Sequence, residues 1–256
     1  MSLLQALHDS AARAGMNLVG LVDARRFDRC QPCESRVASL RPACGSVVVL
    51  GTGGASFWKV VEQQGAVGAP SVERVEELAA NSVRQVAAEL EAKGVGCRAM
   101  LAQGGRLDLT CLAETAGLGI VSPVSGMLLH PKYGPWLRVR GVVLVDGHPF
   151  GEIPDASISE QFRPCCTCHQ PCVSACPPKV HEFGGHADRQ RCAEHRHGGG
   201  CATGCCSRSA CPVGAEHGAG VGALLHAHSS GIRMLRRKFG LGLWRMVPGF
   251  LRQPGR

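Results

Sequence analysis

Ten of the fifteen cysteines fall between Cys165 and Cys211, at spacings suited to metal ligation. The first run reads Cys165-x2-Cys168-x3-Cys172-x3-Cys176-Pro177. Bacterial ferredoxin runs read C-x2-C-x2-C-x3-C-P, and their fourth cysteine serves the other cluster. One extra residue before the third cysteine separates the two patterns. A register counted from the proline end would use Cys166, His169, Cys172 and Cys176 instead. The all-cysteine register is preferred because four thiolates form the usual cluster shell, which leaves His169 in the wrapping loop. The second run starts at Cys192, continues through Cys201, Cys205 and Cys206, and again closes on a Cys-Pro pair, Cys211-Pro212. Two such runs predict two 4Fe-4S clusters with exchanged fourth ligands. Cys165, Cys168, Cys172 and Cys211 are expected to hold one, and Cys176, Cys192, Cys201 and Cys205 the other, with Cys206 as the alternative to Cys205. Gly198 to Gly200 and Gly204 give the loops freedom to turn backbone amides toward cluster sulfurs.

Other chemistries are weighed against this. Structural zinc favours paired CxxC motifs or a spaced His pair; His181, His186, His195 and His197 keep a zinc-stabilised nucleic-acid-binding protein as an alternative. A disulfide framework is not expected, because residues 1–21 do not read as a signal peptide and reducing cytosol keeps thiols free. The protein is therefore expected to be cytoplasmic. Cys30-Gln-Pro-Cys33 has the spacing of a redox dithiol but lacks the surrounding strand pattern. Gly51-Thr-Gly-Gly lacks the Lys-Ser/Thr of a phosphate loop and reads as a glycine turn.

The elements that must position these residues divide the chain by cysteine usage, with a boundary between Phe150 and Phe162. Leu3 to Ala14 reads as an amphipathic helix and Asn17 to Val22 as a buried strand. Ser46 to Leu50, Cys97 to Leu101 and Trp136 to Val145 are further strands. The helix from Ser71 to Lys93, starting at Pro70-Ser71, puts Val72, Val75, Leu78, Val83, Val86 and Leu90 on one face and stops at Gly94. Arg106 to Thr115 is another helix, ended by Gly117. This order predicts an α/β or α+β layer with one mixed sheet.

Leu112-Ala-Glu-Thr-Ala-Gly117-Leu-Gly119, then Leu128-Leu-His130-Pro131-Lys132-Tyr133-Gly134-Pro-Trp136, then the double Cys-Pro segment, resembles the epoxyqueuosine reductase family. Reductive dehalogenases share that architecture. The resemblance, which covers roughly residues 1–220, implies a nitroreductase-like cobalamin-binding domain over residues 1–150 and a two-cluster ferredoxin-like module over 151–222; residues 223–256 read as a basic tail. It also makes cobalamin a candidate cofactor, with His130 and Tyr133 as candidate pocket residues. The chain departs from the family where it reads Ile120-Val-Ser-Pro123-Val-Ser125. Where the family carries its proposed general-acid aspartate, this chain has Ala102-Gln103-Gly-Gly-Arg106, and Gln103 cannot act as an acid. The family also continues into a helical-repeat tRNA-binding region about where this sequence stops. Epoxyqueuosine reduction on tRNA is therefore not expected, and no catalytic residue is assigned.

The expected function is electron transfer, entering at one cluster and leaving through the other toward a pocket in the N-terminal domain. That pocket would serve a small-molecule reductase, or the chain would be a non-enzymatic ferredoxin-type carrier; either needs an electron-donor protein or reductase as partner. The formal net charge of +8 suggests an acidic partner or surface. The tail from Ile232 to Val247 is basic and apolar without acids, which fits docking on the domain, an anionic membrane surface, or a grip on a partner or RNA.

Overall fold

The structure is a computed structural model that describes residues 2–63, 72–102, 106–156, 158, 161–181, 187–218, 232–233 and 235–248. Helix α1 (Leu3–Arg13) begins at Ser2, whose hydroxyl accepts the Gln5 N–H at 3.2 Å. Strand β1 (Leu18–Asp23) follows, then the short helices α2 (Ala24–Asp28) and α3 (Val37–Leu40). Strand β2 (Cys44–Gly53) leads through α4 (Ser56–Gln63) and the long α5 (Val72–Glu91) to β3 (Cys97–Leu101). Helix α6 (Leu109–Thr115), the two-residue strands β4 (Ile120–Val121) and β5 (Leu128–Leu129), and β6 (Leu137–Asp146) complete this half.

The α/β layering follows from periodicity. Val75, Leu78, Val83, Val86 and Leu90 are all buried on one face of α5, and the chain leaves that helix through Gly94 at φ +78. Pro70 and Ser71, the expected start signal, lie outside the described residues. Within the sheet, alternate valines and leucines of β2 and β6 face opposite ways. Val48, Leu50, Val143 and Val145 pack under α1, α4 and α5, whereas Val47, Val49, Val142 and Leu144 pack over α2, α3 and α6.

The strand order is β1-β2-β6-β3, and every one of these pairings is antiparallel. The expected mixture of strand directions therefore does not occur between neighbours. Strands β2 and β3 do run the same way, as a strand–helix–strand crossover requires, but β6 sits between them and opposes both.

A second difference concerns the glycines after β2. The strand continues through Gly53, and the turn comes only at Gly54, φ +62. A Cβ on Gly53 would lie 2.2 Å from the Tyr133 ring, so that glycine admits an aromatic side chain rather than a turn.

Candidate metal centre

The cysteine segment has little regular structure. A tight turn over Pro164–Cys166 carries Cys165 and is followed by Cys168. Gln170, at φ +55, then turns the chain into α7 (Pro171–Ser174), whose first residue is the proline that suits this position. That one-turn helix carries Cys172 and delivers Cys176 just past its end. Helix α8 (Arg189–His197) carries Cys192; the Asp188 carboxylate caps it by accepting the Arg191 N–H at 2.9 Å. A glycine-rich loop leads to Cys201, at φ +52, and Cys205 stands at the start of α9 (Cys206–Ser209), with Cys211 beyond it.

Helices α7 and α9 pack against each other, and a buried hydroxyl ties them. Ser207 donates to the Cys172 carbonyl and takes a hydrogen bond from His181 Nε2. With its single proton given to Cys172, the hydroxyl can only accept from the imidazole, so His181 is the Nε2–H tautomer.

The chain brings the thiols together in two groups. Cys172 shares its electrostatic surroundings with Cys211, Cys165 and Cys168, and Cys211 with Cys165 and Cys168. Cys165, Cys168, Cys172 and Cys211 also line one cavity with Ser122, Met127 and Val213. Cys192 shares its surroundings with Cys205, Cys176 and Cys201. Burial pushes the thiols of Cys172, Cys192, Cys201 and Cys211 up, and neighbouring sulfurs add to the shift. Thiolates here thus need a cation to compensate them. The backbone of Val213 beside Cys211 and of Cys206 beside Cys201 opposes that upward shift. Cys166 is exposed, and Cys206 is too, although the Cys201 thiol approaches its sulfur at 3.9 Å. Among the described residues no three His, Cys, Asp or Glu side chains converge tightly enough to hold a single metal ion. The donor set is nonetheless chemically suited to iron–sulfur: soft thiols in two groups, the second with Cys205 beside Cys192 and Cys206 beside Cys201.

His130 and Tyr133 lie at the seam between the sheet and this segment. His130 Nδ1 accepts the N–H groups of Lys132 (2.9 Å) and Tyr133 (3.2 Å), which fixes its Nε2–H tautomer. Burial, then Lys132 and His217, hold the imidazole pKa below its ordinary value. The Tyr133 ring stands 4.9 Å from both His130 and His217, and its hydroxyl accepts from Asn17 at 3.1 Å. Asn17 also donates to the Gly53 carbonyl (3.1 Å) and accepts the Gly53 N–H (2.8 Å). The turn then meets the second cysteine run directly: a Cβ on Gly134 would lie 1.7 Å from the Val213 carbonyl. Arg208 of α9 donates to the Pro135 carbonyl at 2.9 Å.

Several of these contacts have no counterpart in the spacing of the cysteines. Ser122 Oγ lies 3.3 Å from Cys165 Sγ, in the stretch that departs from the family pattern. Ile120, Leu129 and Cys211 form a small core with Cys165, Phe162 and Val213, so β4 and β5 support the first thiol group. Arg138 and Arg140, visible in the sequence only as charges within a strand, are half-buried, and Arg140 donates to the Thr52 hydroxyl at 3.1 Å and stands over the Phe57 ring. Burial brings the Arg140 guanidinium down to about 9, with Arg138 adding to the effect and Glu76 opposing it. Gln103 and His186 lie outside the described residues.

The four-stranded α/β layer and the thiol segment beside it share their fold with solved epoxyqueuosine reductases and a reductive dehalogenase. No family model and no curated protein sequence matches the chain. A solved epoxyqueuosine reductase, in selenomethionine-labelled form, superimposes with TM-score 0.62 at 19% identity, covering 88% of this chain and 68% of that one. An epoxyqueuosine reductase bound to an epoxyqueuosine-modified tRNA-Tyr stem loop gives TM-score 0.61 at 18% identity, covering 86% of this chain and 67% of that one. A reductive dehalogenase described by B12-dependent dehalogenation gives TM-score 0.55 at 18% identity, covering 94% of this chain but 35% of its own.

Proposed function

We propose that this protein is an iron–sulfur redox protein that carries two 4Fe-4S clusters and passes electrons toward the sheet domain. The observation that supports this reading is that the closing cysteine of each run sits among the cysteines of the other. Cys176, from the first run, sits with Cys192 and Cys205, while Cys211, from the second, sits with Cys165, Cys168 and Cys172. Arg208 faces Cys205, and its fixed positive charge would help retain an anionic cluster there. The first group lies beside the turn carrying His130 and Tyr133, so it is the exit toward any partner cofactor.

A corrinoid is the candidate for that cofactor; when bound, it would supply a cobalt centre for reductive chemistry and make the protein a reductase. His130 would meet it as an Nε2–H donor, because its Nδ1 is already engaged by two backbone amides. Tyr133 would act behind it, holding that turn through Asn17 and His217. The chain works in partnership with an electron-donor protein or reductase.

Metal and cofactor analysis of anaerobically prepared protein tests this. Two cubanes require about eight irons and eight labile sulfides per chain. The Cys211→Ser variant is expected to fall to about four irons, whereas Cys166→Ser keeps about eight. A colourless zinc protein, or equal iron loss in both variants, overturns the proposal. Corrinoid absorption bands after reconstitution identify a reductase; reversible cluster reduction without them identifies a carrier.

A further inference from the structure

Among the described residues three large hydrophobic side chains are exposed, and two of them, Leu243 (86%) and Met246 (85%), are far more exposed than Leu4 (40%). Both lie in the 3-10 turn Gly242–Met246. Side chains three apart in such a turn eclipse one another, so Leu243 and Met246 project from the same side. Arg236, Lys238 and Arg245 around them are also exposed. From His217 onward the sequence contains no Asp or Glu.

The fold holds this turn in place. Ile232 and Leu241 are buried at 8% exposure each, and Arg233 pairs with Glu73 of α5. Gly240 (φ +63) and Gly242 (φ +62) reverse the chain, and Gly242 lies against His197 at the end of α8. The Arg237 guanidinium sits 5.5 Å from the centre of the Trp244 ring. The segment is therefore docked on the domain, as one of the sequence readings expected, while its two apolar tips point into water.

We propose that this turn and the residues before it form a docking surface for a bilayer of anionic lipid. Leu243 and Met246 enter the headgroup–acyl boundary, and the exposed Arg236 and Lys238 meet the phosphates. Such a surface gains from both kinds of side chain at once. RNA phosphates would use the basic residues but leave Leu243 and Met246 in water. The association is peripheral, since among the described residues no helix is long and apolar enough to cross a membrane.

The test is flotation of the iron-loaded full chain with vesicles. It should float with an equimolar mixture of phosphatidylcholine and phosphatidylglycerol, not with phosphatidylcholine alone, and less at high salt. Replacing Leu243→Asp and Met246→Asp together should weaken binding by at least about tenfold, the scale for withdrawing one such side chain from an apolar phase. Arg236→Glu with Lys238→Glu should weaken it as well. Both pairs are exposed, so unchanged iron content and thermal midpoint report intact folding. Failure of the wild-type protein to float overturns the proposal, as does undiminished floating of the Asp variant. Binding to a tRNA stem loop that matches the vesicles and is indifferent to the Asp changes also overturns it, and assigns the charges to nucleic acid.

Discussion

The sheet and the cysteine segment are built on opposite principles. In the sheet, Val47 to Leu50 and Val142 to Val145 are all at 0% exposure, sandwiched between two helical layers. From residue 161 to 218 the buried apolar residues among those described are Cys176, Val180, Ala193 and Cys211, and two of these four are thiols. Helices α7 and α9 are four residues long, far below the length at which a helix holds itself. The first region carries its own core, whereas the second has thiols where a core would be. With clusters bound as proposed, such a segment would draw its folding free energy from them.

The sharpest way to break this contrast is to strip the proposed clusters. Anaerobic chelation should abolish hydrogen-exchange protection across residues 165–211 and leave β2 and β6 protected. Equal protection before and after would show that the segment folds without metal. A smaller effect, in the opposite region, follows from Leu144→Ala. That side chain is fully buried at the sheet centre, so its loss should cost about 2–5 kcal/mol in urea unfolding. Iron per chain should stay the same; falling iron would show that the two regions are one cooperative unit.

The smallest effect belongs to the seam. His130 is held below the usual imidazole pKa by burial, then by Lys132 and His217. The unfolded chain therefore binds a proton there at higher pH than the folded one. The stability this neutral imidazole contributes is complete above about pH 6.5 and declines on acidification through that value. An asparagine carbonyl can accept the same backbone N–H groups, so His130→Asn should keep the turn and flatten the pH dependence of the unfolding midpoint. An unchanged slope would remove His130 as its source.

Much of the sheet region was legible because its signals are local. The α5 face, its stop at Gly94 and the valine-rich strands come from side-chain period and a single positive φ. The antiparallel order was not legible, because β6 is inserted between β2 and β3 from far along the chain. Gly53 misled for a related reason: a glycine that admits Tyr133 looks the same in sequence as a glycine that turns. In the thiol segment, spacing marked every cysteine in the two groups, but Ser207 and His181, which tie α7 to α9, carry no pattern of their own.

By itself, the sequence determined that this chain concentrates soft ligands in two runs, each ending at a proline, behind a layered α/β half. Ligand spacing and hydrophobic period are short-range properties, so they are written where the residues are. Only the tertiary structure decided that the His130–Tyr133 turn abuts the first thiol group, beside Val213 and Cys211. It also decided that Leu243 and Met246 stay in water while Ile232 and Leu241 do not. Each of those outcomes depends on which distant backbone lies alongside, and close packing settles that only once the whole chain has folded.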